Sequence, residues 1–188
     1  MVNEGVIEEG ESPSRIAKSG KIELYTVVAL AENSLGVLAR ACSIMSRRRL
    51  NIESLNAYET HVKGLSRFTI VVSGDELQVL KIIEQIRRIV EVREAHYYRD
   101  EELVYQEVGM ARIVCETSQS VKTLAKFAKD QNAMVTPSDD NNWVIEKSGK
   151  ESEITEFFLA LKPFEVREHA RSGRIALPRG TSGVEPRA

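Results

Sequence analysis

The sequence of 188 residues is long enough for one ordinary domain or two small ones, and its 42% hydrophobic and 29% charged residues are typical of a soluble globular protein. Its formal charge of −2 argues against a general nucleic-acid binder, which usually carries a basic excess. No apolar run is long enough to span a bilayer, and the acidic N-terminus lacks the apolar stretch of a secretory signal.

The two cysteines, Cys42 and Cys115, lie separately within apolar patterns. Buried free thiols in a reducing compartment explain this pattern better than a disulfide or a metal site does. We therefore expect a cytoplasmic protein without a metal site of its own.

The first βαβ segment is preceded by residues 1–20, which are rich in Glu, Gly and Ser and are predicted to form a mobile acidic tail. The run from Ile22 to Leu30 is β-branched and aromatic, which predicts a strand buried on both faces. A helix is predicted from Gly36 to about Arg48. Its apolar residues recur at helical spacing: Val37, Leu38, Ala41, Ile44 and Met45.

Two further strands are predicted at Asn51–Thr60 and Leu65–Ser73, and Gly74-Asp75 is then predicted to cap a second helix. The apolar residues of this helix repeat at intervals of three and four: Leu77, Leu80, Ile83, Ile86 and Val90. A fourth strand follows from Val90 to Tyr98. The order βαββαβ is that of a ferredoxin-like unit, in which both helices cover one face of an antiparallel sheet.

The other face of this sheet is expected to be bare. A bare apolar face favours pairing with a second copy through the sheet or an edge strand, so we expect a homodimer.

The same order of elements is predicted again after a charged linker at residues 99–102. The second unit occupies residues 103–180, with strands near Val104–Cys115, Ala133–Val135 and Trp143–Glu146, and a last strand from about Phe164. Ser118 or Ser120 is expected to cap its first helix, and its second helix places apolar residues at Ile154, Phe157, Phe158 and Leu161.

An internal repeat supports a duplicated architecture. The residues Val90-Glu91-Val92-Arg93-Glu94 recur as Phe164-Glu165-Val166-Arg167-Glu168, each time after the second helix of a unit. Glycines and prolines from Leu177 onwards predict a frayed end, with residues 181–188 outside the second domain. The fold class is therefore α+β, with two tandem ferredoxin-like βαββαβ domains at 21–98 and 103–180.

The loop between the first strand and the first helix is the candidate binding site. The polar residues Glu32, Asn33 and Ser34 lead through Leu35 to Gly36, which lacks the Cβ that would keep a ligand from the backbone. A helix N-terminus has unpaired N–H groups and the positive end of the helix dipole, both of which favour an anion. Asn33 either caps the helix or contacts a small polar ligand.

Five stretches then resemble one family: E-N-x-x-G-V-L-x-R at 32–40, N-I-E-S-L at 51–55, L-S-R-F-T-I at 65–70, A-R-S-G at 170–173 and A-L-P-R-G at 176–180. In this order and spacing they are similar to the small regulatory subunit of acetolactate synthase (acetohydroxyacid synthase). The resemblance covers about residues 21–180, and its first half resembles an ACT domain, an amino-acid-sensing form of the βαββαβ unit.

The resemblance implies a non-catalytic regulatory subunit with no cofactor of its own. Its partner would be a catalytic large subunit that carries thiamine diphosphate, magnesium and FAD. Stimulation of that partner and feedback inhibition by valine or a related branched-chain amino acid are expected, with residues 103–180 contacting the partner. The effector would bind between two ACT domains, with no nucleic acid or membrane involved. Residues of two chains would hold it: Asn33, Ser34, Leu35, Gly36 and Val37 from one, Asn51 and Ile52 from the other.

Three departures from the family pattern bear on this expectation. Arg49-Leu50 stands where family members usually have glycine and an aromatic residue, which predicts a different or strained turn. Gln106-Glu107 replaces a typical Arg-Glu pair, and residues 116–147 are shortened and divergent. These departures put the identity of the effector in question.

The sequence also bears on three other functions. Acylphosphatase-like catalysis needs a glycine-rich phosphate loop, which this sequence lacks. A Cys42–His61 nucleophile pair is disfavoured because Cys42 lies on the predicted buried face of the helix. RNA recognition needs several aromatic residues on the central strands, and the third strand has only Phe68. A stand-alone ACT-domain sensor for another enzyme or a transcription factor is the alternative, and the A-R-S-G and L-P-R-G stretches argue against it.

Overall fold

The computed structural model describes residues 20–180, which form two βαββαβ units joined by a short 3-10 helix. The predicted tails lie outside this range, apart from Gly20. The first unit comprises β1 (Glu23–Glu32), α1 (Val37–Arg47), β2 (Asn51–Glu59), β3 (Leu65–Gly74), α2 (Glu76–Ile86) and β4 (Val92–Tyr98). The 3-10 helix spans Asp100–Glu102 within the predicted linker.

The second unit repeats this order, and one short strand follows it. Its elements are β5 (Leu103–Val114), α3 (Ser118–Asp130), β6 (Met134–Pro137), β7 (Asn142–Gly149), α4 (Glu151–Ala160), β8 (Val166–Arg171) and β9 (Ile175–Pro178). The strand orders β2-β3-β1-β4 and β6-β7-β5-β8 are equivalent, and neighbouring strands in both orders pair antiparallel. The predicted fold class is confirmed.

The repeat in the sequence corresponds to a repeat in the structure. Val92 begins β4 and Val166 begins β8, and each lies beside a shift in register on the central strand of its sheet. The two halves therefore share the register of their edge strands as well as the order of their elements.

Each unit has its own apolar core between sheet and helices. In the first unit, the strand residues Tyr25, Val27 and Ala29 pack against Ile44 and Ile83 of the helices. In the second, the core residues are Ala111, Ile113, Cys115, Leu124, Ala128, Ile145, Phe157 and Leu161. No helix within the described range combines the length and apolarity required to cross a membrane.

The prediction for α2 was partly wrong. The helix ends at Ile86, and Val90 lies beyond it with 96% of its surface exposed. The buried face passes through Val79, Ile82 and Ile83, while Leu77 is exposed. When a helix has apolar residues on several faces, the spacing of these residues is compatible with more than one buried face. The surface against which the helix packs then decides which face is buried.

Two predicted ends were also wrong. Thr117, rather than Ser118 or Ser120, is the N-cap of α3, and its hydroxyl accepts a hydrogen bond from the Ser120 N–H. Leu177 and Pro178 were expected to fray, but they belong to β9, which pairs with the start of β5. The sequence of this short strand did not predict its pairing, because its partner strand begins about seventy residues earlier in the chain.

The second face of the first sheet is covered, contrary to the prediction. Val28, Leu30, Leu65 and Tyr98 form an apolar cluster on this face with two residues from the second half, Leu103 and Ala176. The segment of residues 172–178, here called the strap, crosses this face. The sheet face of the first unit is thus an interface within one chain, and of the two predicted routes for pairing with a second copy, the route through an edge strand, β2 or β4, is left.

Candidate functional site

The loop after β1 is held in place by backbone hydrogen bonds. The N–H of Glu32 donates to the carbonyl of Glu91 at 2.8 Å, and the N–H of Asn33 donates to that of Gly64 at 2.8 Å. The Ser34 N–H donates to the Glu32 carbonyl at 2.8 Å. The loop is therefore fixed between the turns that precede β3 and β4, and it delivers the chain to the start of α1.

The N-terminus of α1 has no side-chain cap. The N-cap residue is Gly36 with φ 83°, so the predicted capping role of Asn33 is wrong. The left-handed φ is available to glycine without the steric cost that a Cβ would bring. N–H groups in the first turn of a helix have no intrahelical acceptor, and here no side chain supplies one. The site is suited to an anion from outside the chain.

Arg40 adds a positive charge that was not predicted for this site. A Cβ built on Gly36 would lie 3.5 Å from its Nη1 atom, and its Nη2 atom lies 2.5 Å from Glu91 Oε1. A hydrogen bond from its own backbone N–H, and then the Arg40 guanidinium, lower the pKa of the Glu91 carboxyl. The signal was available, because positions four apart on a helix share a face.

The side chains of the loop differ in what they offer a ligand. Asn33 and Ser34 are exposed, and Leu35 is 99% exposed. Val37 is 1% exposed and belongs to the core, so its side chain does not face a ligand at the loop, although the resemblance placed Val37 among the residues that hold the effector. Val37 can contribute only its backbone N–H.

Asn51 and Ile52 lie at the opposite end of the same sheet. Asn51 pairs with Ser73, which pairs with Leu24, whereas Glu32 before the loop pairs with Leu65. Eight residues of β1 separate the two positions, or roughly 27 Å at about 3.4 Å per residue. One chain therefore does not bring the two predicted groups together.

The start of β2 nevertheless has suitable polar and apolar groups. The Asn51 side-chain amide donates to Glu53 Oε1 at 2.9 Å, which leaves its carbonyl oxygen available. Ile52 is half-buried and packs against the core. These residues begin an edge strand, whose outer side has no partner strand within residues 20–180.

The structure does not support a Cys42–His61 nucleophile pair. Cys42 is half-buried on α1, and burial raises the pKa of its thiol, which disfavours the reactive thiolate. No hydrogen bond joins Cys42 to His61, which lies exposed in the turn after β2. The half-buried thiol fits a structural role.

Two family models match the chain in succession. A model described as an AHAS small subunit-like ACT domain matches residues 28–94, and one described as the small subunit of acetolactate synthase matches residues 106–180. The first match includes the loop at Asn33–Gly36 and the start of β2.

Curated relatives match over nearly their whole length. The acetolactate synthase small subunit of Aquifex aeolicus is 29% identical over 168 residues, which cover 89% of this chain and 88% of that protein. The small subunit of Mycobacterium bovis is 31% identical over 163 residues, covering 85% of this chain and 95% of that one. A crystal structure of the small subunit from Thermotoga maritima is similar with a TM-score of 0.75 and 25% identity, covering 85% of this chain and 99% of that one.

Proposed function

The chain belongs to the family of acetolactate synthase small subunits and is thus a non-catalytic subunit, and we propose that it stimulates the catalytic subunit and confers feedback inhibition by a branched-chain amino acid. Valine is the effector we would test first. Thiamine diphosphate, magnesium and FAD would belong to the partner. Both subunits would act in the cytoplasm, where Cys42 and Cys115 stay reduced.

The observation that supports the effector site is the uncapped N-terminus of α1. An amino acid presents a carboxylate, and this helix offers first-turn N–H groups without a side-chain cap, with the Arg40 guanidinium nearby. The exposed oxygens of Asn33 and Ser34 can accept hydrogen bonds from the effector ammonium. Leu35 supplies apolar surface for a branched side chain.

The free edge of β2 supports a site shared between two chains. If β2 paired antiparallel with β2 of a second copy, the start of each strand would lie beside the end of the other. The end of β2 is at the loop's end of the sheet, since the Gly64 N–H donates to Glu59 Oε1 at 2.9 Å and the Gly64 carbonyl accepts from Asn33. This pairing would carry Asn51 and Ile52 of one chain toward the loop of the other.

A candidate surface for the catalytic subunit is the face of the second sheet opposite α3 and α4. Met110, Val144 and Ala170 border a shallow hollow on this face, beside Arg112 and Glu168, whose charged atoms are 3.8 Å apart. Met110 is 40% exposed. An apolar centre with charged residues at its side is typical of a protein interface.

Met110→Glu tests this surface. The variant should lose stimulation of the catalytic subunit, because a carboxylate would be desolvated in the contact, while valine binding to the isolated subunit persists. Leu159→Glu is the matched control, since Leu159 is 55% exposed on α4, on the other side of the sheet. Equal stimulation by both variants would exclude this face as the contact.

The experiment that tests the function is acetolactate formation by the cognate catalytic subunit, measured alone, with this chain added, and with valine titrated in. Stimulation that valine reverses is the expected result. Stimulation that neither valine, leucine nor isoleucine reverses would refute the sensory role. No stimulation at all would refute the pairing with this enzyme and favour a stand-alone sensor.

A further inference from the structure

Arg174 is a buried cation in the strap, and its guanidinium contacts both halves of the chain. Its side chain is 1% exposed. The Nη1 atom donates to Thr26 Oγ1 at 2.8 Å and to Asp100 Oδ1 at 2.6 Å. Thr26 lies on β1 of the first unit, and Asp100 lies in the 3-10 helix between the units.

The second unit holds the same guanidinium from the other side. Its central carbon lies 3.8 Å from the centre of the Tyr105 ring on β5, and Nη2 lies 3.8 Å from Glu151 Oε2 on α4. The Tyr105 hydroxyl donates to Asp100 Oδ2 at 3.0 Å, which closes the network. One side chain therefore contacts β1, the 3-10 helix, β5 and α4.

The strap is fixed close to the first sheet on both sides of Arg174. A Cβ on Gly173 would lie 2.6 Å from the carbonyl oxygen of Leu55, so only glycine fits against β2 there. Arg67 on β3 donates to the carbonyl of Ala176 at 3.0 Å. On the other side, Ser172 and Val108 of β5 exchange hydrogen bonds at 2.9 Å. The strap joins the two sheets.

A buried ion pair by itself adds little net stability, because desolvation offsets the attraction between the charges. What such a group does impose is geometry, since moving one partner away leaves a buried charge unpaired. The planar fork of an arginine fixes the directions of its donors. Arg174 is therefore placed to hold one relative orientation of the two units.

The partner of Arg174 in the first unit is on the strand that leads to the candidate effector loop. Thr26 is fully buried on β1, and β1 ends at Glu32, directly before Asn33. An effector that shifts the loop would act on the end of this strand. We propose that Arg174 is the positioning residue through which the effector state of the first unit sets the orientation of the second; this rests on the proposed function.

Thr26→Val is the decisive variant. It removes the hydroxyl that accepts from Arg174 but keeps the shape of a buried side chain, and it leaves the contacts of Arg174 with Asp100 and Tyr105. Thr69→Val is the matched control, because Thr69 is also buried on the same sheet face, where it pairs with Val28, whereas the threonine that accepts from Arg174 is Thr26. Arg174→Met serves as a second variant that removes the whole fork while retaining an apolar stem.

Amide hydrogen exchange of the full chain, with and without valine, gives a direct readout. In the parent and in Thr69→Val, valine should slow exchange in the loop at 33–37 and also change exchange in the strap. In Thr26→Val and Arg174→Met the loop response should persist and the strap response should disappear. With the catalytic subunit, both variants should still stimulate, and the valine concentration for half-inhibition should rise by about tenfold.

Several outcomes would overturn the inference. The inference would be refuted if valine changed exchange in the strap of Thr26→Val as it does in the parent. It would also be refuted if the strap response disappeared in Thr69→Val. Loss of valine binding in Thr26→Val would show a role in forming the site and not in transmission. A parent whose loop responds while its strap does not would refute this inference alone, whereas a parent whose loop does not respond would refute the proposed effector site as well.

Discussion

At the scale of single residues, Arg49 is held in a conformation that suits glycine. Its φ is 55°, and it follows the C-cap of α1, where its N–H donates to the Ser46 carbonyl and the Leu50 N–H donates to the Met45 carbonyl. This is the Schellman arrangement, in which a left-handed residue closes the helix. Asn132 has φ 52° at the equivalent position after α3. The expected strain at Arg49-Leu50 is thus present.

Arg49→Gly should therefore raise the free energy of unfolding by about 1 kcal/mol, because it removes the left-handed penalty at an exposed site. The measurement is chemical denaturation followed by circular dichroism. Arg47→Gly is the control, since Arg47 lies in the last turn of α1 and glycine there should lower stability by about 0.5–1 kcal/mol. Equal effects of the two substitutions would contradict the argument.

Gly36→Asp should remove inhibition by valine while stimulation survives. The new carboxylate would occupy the place of the effector carboxylate, near the helix N-terminus and within reach of Arg40. Because any Cβ is strained at φ 83°, Gly36→Ala separates strain from charge. In acetolactate assays, valine should still inhibit with Gly36→Ala, whereas Gly36→Asp should stay uninhibited even at about ten times the valine concentration that half-inhibits with Gly36→Ala. Parental sensitivity in Gly36→Asp would mean that the site lies elsewhere.

At the scale of elements, the two helices of the first unit begin differently. No side chain caps α1, whereas the Asp75 carboxylate accepts from the Leu77 N–H at 2.8 Å at the start of α2. Hydrogen bonds from the backbone N–H groups of Gly20 and Leu77 lower the pKa of Asp75. The contrast suggests that α2 is built for stability, while α1 leaves its N-terminus open for a ligand.

The cap makes a prediction about pH. A carboxyl whose pKa is lowered on folding adds stability above its unfolded pKa of about 3.9, and this stability is lost as pH falls through the lower folded value. Asp75→Asn keeps the cap, so it should remain near parental stability at neutral pH but lose less as the solution is acidified. Asp75→Ala should be weaker at neutral pH. Thermal unfolding from neutral to strongly acidic pH checks this, and an unchanged acid dependence in Asp75→Asn would contradict it.

At the scale of the whole molecule, the strap changes which surface is free for a second copy. It covers the sheet face of the first unit, so the expected homodimer would form at an edge of this sheet, and β2 is the edge strand that carries Asn51 and Ile52. Leu55→Glu should then weaken the dimer, because two-fold pairing brings like charges together. Leu77→Glu is a matched control, since both leucines are 38% exposed and Leu77 lies on α2. Sedimentation velocity measures the effect, and an intact dimer in Leu55→Glu would exclude this edge.

The sequence by itself determined the repeated βαββαβ order, the family and the loop at Asn33–Gly36. These depend on local features, namely alternating and helical apolar spacing, a glycine before a helix, and short stretches of letters in order. The Asp75 cap was predicted for the same reason, because a cap is made between residues only two apart. The strain at Arg49 was also visible as a missing glycine.

Only the tertiary structure decided which faces are free. Covering the first sheet required contacts between positions far apart in the chain, such as Arg174 with Thr26, and β9 with the start of β5. No periodicity in the sequence marks the strap residues Arg174, Ile175 and Leu177 as part of an interface. Their partners lie on β1 and at the start of β5, far from them along the chain. The ion pair between Arg40 and Glu91 beside the loop was decided in the same way, because Glu91 lies in the turn before β4, far from Arg40 along the chain.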